Sequence, residues 1–128
     1  MIVAVCLGSI GAFATPIAET DYLEIVPLWT HIVLTSNNLR DLGGGRLSIQ
    51  GGTTVQLGFT AGVTVELQQN GRTIRTWSDA RATNINLATE HFVARGHQYR
   101  LRLTHTARNA NGAILETVVM YSRTVVVN

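Results

Sequence analysis

An antiparallel β-sandwich of about seven strands, immunoglobulin-like or similar, is the fold this 128-residue chain predicts, with a small β-barrel as the alternative. Three observations carry that expectation. From Leu28 onward the apolar residues recur at period two, and no window sustains the i, i+3, i+4, i+7 stripe of a helix. Turn residues return roughly every eight to twelve positions, the spacing of short antiparallel strands. Asn70-Gly71 stands between two alternating runs, where a tight hairpin needs residues that tolerate positive φ. The length suits one domain, placed over residues 19–128 behind a signal peptide-like segment over residues 1–18.

The first element is that segment. Ile2 to Phe13 is apolar and relieved by small residues, and Ala12-Phe13-Ala14 and Pro16-Ile17-Ala18 each resemble an export cleavage site. It is too short and interrupted for a membrane span, which needs roughly 20 apolar residues. No Lys or Arg precedes it, so a first buried strand or helix and a retained anchor stay open beside export. Val5 directly before Cys6 is too large for a lipid-attachment site. Export with cleavage after Ala14 or Ala18 removes Cys6, the sole cysteine, and leaves a domain held by packing and strand pairing.

Trp29 to Thr35 reads as the first strand, ended by Ser36-Asn37-Asn38, with Gly43-Gly44-Gly45 as a flexible joint. Arg46 to Gln50 begins a second strand. After Gly51-Gly52 the run Thr53 to Thr60 places Val55, Leu57 and Phe59 on one face. The Asn70-Gly71 hairpin pairs Gln69 with Arg72, hence Leu67 with Ile74 toward the core and Glu66 with Arg75 as an exposed ion pair. That register sets Trp77 on the polar face, unless a bulge turns it inward, which is the preferred reading. Thr83 to Leu87 is a short strand with Ile85 and Leu87 inward. Gln98 to Ala107 alternates over its whole length: Tyr99, Leu101, Leu103, His105 and Ala107 face one way, Arg100, Arg102, Thr104, Thr106 and Arg108 the other. Asn109 to Gly112 turns the chain into a last strand over residues 114–127. Its two faces are about equally apolar, Ile114, Val118 and Met120 against Leu115, Val119 and Tyr121, and its tail Val125-Val126-Val127 is a candidate free edge.

Several of these features resemble a family of small secreted β-sandwich proteins of Gram-positive bacteria, classed as a domain of unknown function. They are Val65 to Gln69, Trp77-Ser78, Gly96 to Leu101, Asn111-Gly112 with Leu115-Glu116, Tyr121-Ser122, and an early tryptophan matched by Trp29. The resemblance covers residues 29–123 and implies secretion and a sandwich. It supplies no activity, and this chain carries more Arg and less Ser and Gly than the family does.

Composition narrows the function classes. With 45% hydrophobic and 14% charged residues the chain can bury a core, so disorder is excluded. Two Trp, three Tyr and three Phe are few for a sugar platform or a single-stranded nucleic-acid groove. The net charge of +2 is too mild to imply nucleic acid, although every basic residue is Arg, which stays charged and can fork onto carboxylate or phosphate.

Catalytic motifs are absent: no nucleophile elbow, phosphate loop, HExxH or paired-cysteine site occurs. His31, His91, His97 and His105 are scattered, and no metal or cofactor is expected. His105 and Glu116 become cross-strand neighbours if the intervening loop is four residues long, as a structural hydrogen bond with no nucleophile beside it. The candidate ligand-binding set is Arg100, Arg102, Arg108, Thr104 and Thr106, a row able to grip an anionic polymer such as a cell-wall teichoic acid, an acidic polysaccharide or a nucleic-acid backbone. Its bland counterpart is a solvated face paired with Glu66, Glu90 or Glu116. The expectation is therefore a secreted, non-enzymatic binding or surface-interaction module. The alternative is a structural or self-assembling extracellular protein that recruits a protein partner through its C-terminal edge strand.

Overall fold

A computed structural model describes residues 29–128, so the export-like segment, both cleavage candidates and Cys6 lie outside the described residues. The described chain is an all-β sandwich of eight strands: β1 (Ile32–Gly43), β2 (Arg46–Val55), β3 (Thr60–Gln69), β4 (Arg72–Ala80), β5 (Asn84–Phe92), β6 (His97–Arg108), β7 (Ile114–Tyr121) and β8 (Val125–Val127). One sheet has the order β1-β2-β5, the other β4-β3-β6-β7 with β8 also on β6, and every pairing is antiparallel. This is close to the immunoglobulin constant-type arrangement, with the fourth strand moved to the sheet of the third, sixth and seventh.

The core is the alternation made physical. Leu39, Leu47, Ile49, Val55 and Ile85 from one sheet meet Val63, Val65, Leu67, Leu101 and Leu103 from the other, all at most 3% exposed. Gly51 sits directly against the facing sheet: a Cβ there would lie 2.7 Å from Leu103 and 2.8 Å from Val65. A larger residue would hold the sheets apart. Tyr99, at the start of β6, donates its hydroxyl to the Ala94 carbonyl at 2.5 Å. That is the tyrosine corner of immunoglobulin-like sandwiches, tying the β5–β6 crossover to the core.

Several expected boundaries move. β1 runs through Ser36-Asn37-Asn38 because β2 is present to pair with all three. Gly43-Gly44-Gly45 is a hairpin turn and not a loose joint: all three have positive φ (86, 67 and 77), and the Val93 N–H donates to the Gly45 carbonyl. β2 continues through Gly51-Gly52 to Val55 and stops, so Leu57 lies in a turn, 88% exposed. β5 extends to Phe92, and the single last strand is broken at residues 122–124 into β7 and β8.

The Asn70-Gly71 turn has the expected positive φ at both positions, 51 and 87. Gln69 pairs with Arg72 as predicted, but a bulge follows at Ile74, so Leu67 faces Arg75 and Val65 faces Trp77. Ile74 is consequently 39% exposed, and the Glu66–Arg75 pair does not form. The same slip turns Trp77 inward, half-buried against the core and edge-on to His91 with ring centroids 5.6 Å apart. On β7 the question of faces resolves in favour of Val118 and Met120, which are half-buried, while Val119 and Tyr121 point outward.

Candidate functional site

The outer face of the five-stranded sheet is built on β6, which lies between β3 and β7 and so has neighbours on both sides. Strict alternation buries Tyr99, Leu101, Leu103, His105 and Ala107 and sends Arg100, Arg102, Thr104, Thr106 and Arg108 to the opposite side, as expected. Register then sets Gln68, Glu66 and Thr64 of β3 beside Arg100, Arg102 and Thr104, with Tyr121 and Val119 of β7 flanking Arg102 and Thr104.

The three guanidiniums have different environments. Arg102 is paired, its Nη1 lying 2.8 Å from a Glu66 carboxylate oxygen that is also half-buried. The neighbouring Tyr121 hydroxyl and the Glu66 charge both raise its affinity for its proton, against the opposing effect of burial. Arg100 donates its Nε to Gln68 Oε1 at 2.8 Å and lies over the Tyr121 ring at 4.4 Å, a neutral clamp that orients the charge without cancelling it. Arg108 makes no ion pair among the described residues, and its Nε is buried without a hydrogen-bond partner. Of the carboxylates weighed as partners, Glu66 takes Arg102, Glu90 takes Arg46 on the opposite sheet, and Glu116 is engaged elsewhere.

Thr104 is half-buried in this row, whereas Thr106 is buried at 8% exposure and offers a ligand little surface. A recess of about 250 Å³ opens at the Arg100 end, lined by Gln68, Asn70, Gly71, Gln98, Arg100 and Thr124. A second, of about 290 Å³, lies over the three-stranded sheet between Leu34, Ser36, Gly52, Asn84 and Asn86, and no charged side chain lines it.

The expected His105–Glu116 neighbourhood does not form. The loop is Asn109–Ala113, longer than four residues, and a register shift near Arg108 brings Val118 opposite His105 and Glu116 opposite Ala107. Glu116 instead accepts three successive backbone N–H bonds, from Thr30, His31 and Ile32, each at 2.8 Å. Burial alone would raise its carboxyl, but these donors and His31 outweigh that and hold it below its ordinary value. This staple of β7 to the start of β1 spans 84 to 86 residues, and no local signal reveals it.

His105 is fully buried. Thr53 donates its hydroxyl to the Gly62 carbonyl at 2.9 Å, so His105 Nδ1, 2.7 Å away, donates to Thr53 Oγ1. Nε2 has no partner. Burial pushes this imidazole from 6.5 down to about 4, against the Gly52 carbonyl, which favours the charged form. His97 bonds to Asn70 and His91 packs on Trp77, and no three His, Cys, Asp or Glu side chains converge among the described residues. No helix there is long and apolar enough to cross a membrane.

No family model matches the chain, and no curated protein is similar to it.

Proposed function

We propose that this chain is a secreted, non-enzymatic binding module of the kind its sequence resembles, and that the outer face of its five-stranded sheet holds an anionic cell-wall polymer. The observation that carries the reading is the row Arg100, Arg102 and Arg108 on one side of β6, set against the single carboxylate of Glu66. Arg100 and Arg108 keep their charge, about 27 Å apart along eight strand residues, which suits a repeating polyanion better than one small anion. The recess beside Arg100 is lined by amide groups that can bond a phosphate or a sugar hydroxyl. Arg102 is the positioning member: its partly exposed pair with Glu66 is worth about 0–1 kcal/mol, so a ligand can displace it at small cost.

Retention on immobilised polyglycerol phosphate, measured against salt, tests the proposal. Two unpaired guanidiniums on a flexible polyanion give a log-log slope of about −1.4, so affinity falls roughly sevenfold between about 50 and 200 mM salt. Retention that does not change over that range overturns the anionic-polymer reading.

A further inference from the structure

The four strand edges of the sandwich are not equally protected against pairing with another chain, and the difference points to one of them. β1 carries Arg40 and Asp41 and two register irregularities. β4 carries Arg72, Arg75 and Asp79 and the bulge at Ile74. β5 carries Glu90, with Asn84 and Asn86. Charges and bulges of this kind are how sheets blunt their edges. β8 is three residues long.

β7 carries one charge, Glu116, and one register shift, between Ile114 and Glu116, and from Glu116 to Tyr121 it pairs with β6 without further irregularity. Its sequence, Ile-Leu-Glu-Thr-Val-Val-Met-Tyr, is β-branched and aromatic, with no Gly or Pro and one charge. That charge, Glu116, is already bound to the N–H groups of Thr30, His31 and Ile32. Ile114, Leu115, Val119 and Tyr121 are 54%, 45%, 42% and 49% exposed along this edge.

We infer that β7 is a self-association edge, on which a second copy of this chain adds its own β7 antiparallel across a two-fold axis. Charge compatibility selects the occupant. Two β7 strands meet with their carboxylates already engaged, so no like charges oppose one another. A β4–β4 contact would bring Arg72 and Arg75 against their own copies. An antiparallel two-fold contact is also self-complementary, since the same exposed residues supply both sides. The edge is placed on β7 rather than on the Val125–Val127 tail because β7 offers eight residues to a partner and the tail three. Pairing extends the five-stranded sheet into the next copy and brings the two β6 rows onto one surface; association itself does not depend on the polymer reading.

Light scattering coupled to size exclusion tests this on the full chain, with Val119→Lys and Thr117→Lys as edge-blocking variants and Val126→Lys as the control on β8. The expected result is a dimer for the wild type and for Val126→Lys, reduced to half that mass in both β7 variants. Unchanged β-sheet circular dichroism and melting temperature establish that these variants fold. A wild-type chain that stays monomeric at several hundred micromolar overturns the inference. A dimer that survives both β7 lysines overturns it equally.

Discussion

His105 has no exposed surface and one hydrogen bond, to Thr53, so a second proton on its ring has neither water nor a carboxylate to meet it. The folded imidazole therefore titrates at about 4, and the unfolded one at its ordinary 6.5. Between those values the unfolded chain binds the extra proton and the folded chain does not, so stability rises with pH across the window. It is complete above about pH 6.5, and about 3 kcal/mol of it is lost as pH falls to 4. Urea unfolding of wild type and His105→Gln at several pH values checks this, with the variant expected to be flat over that range as far as this site is concerned. The inward direction of His105 was legible from alternation with Tyr99, Leu101 and Leu103. Its neighbours were not, because opposing Val118 depended on the Asn109–Ala113 loop and its register shift.

Among the elements, β2 and β7 hold positions that only their partners explain. Gly51 looked like a strand break and is instead pressed against the facing sheet, where an added methyl would meet Leu103 and Val65. Gly51→Ala is expected to cost about 1–3 kcal/mol, the usual penalty of overpacking, read as a lower denaturant midpoint with the m-value unchanged. Glu116 looked like a partner for His105 or the arginine row and is instead the acceptor that secures the start of β1. Glu116→Ala is expected to cost about 1.5–3 kcal/mol and to speed amide exchange at Thr30, His31 and Ile32, with β6 amides little changed. The hairpin shows where local reading stops. Asn70-Gly71 dictated the turn and the first two pairs, but the bulge that exposes Ile74 and turns Trp77 inward answers to the packing of Trp77 on His91, a residue of another strand.

Across the whole molecule, period-two patterning was enough for the sandwich, because each sheet buries one face and alternation reports that directly. The tyrosine corner was the overlooked signal: Tyr99 just after Gly96 and a crossover is a local pattern, and its bond to Ala94 closes that corner. The placing of strands between sheets was not local, since β2, β4 and β5 each hand the chain across by way of turns that the opposite sheet positions. The arginine row was legible as a row, and pairing then divided it into a neutralised centre and two charged ends. The central claim is that those ends bind a polyanion, and the double variant Arg100→Ser/Arg108→Ser tests it most directly against Arg46→Ser, which removes an equally permanent charge from the opposite sheet. Retention on polyglycerol phosphate at low salt is expected to collapse, with its salt slope, in the double variant and to persist in Arg46→Ser. Equal retention by both, or equal loss, contradicts the claim.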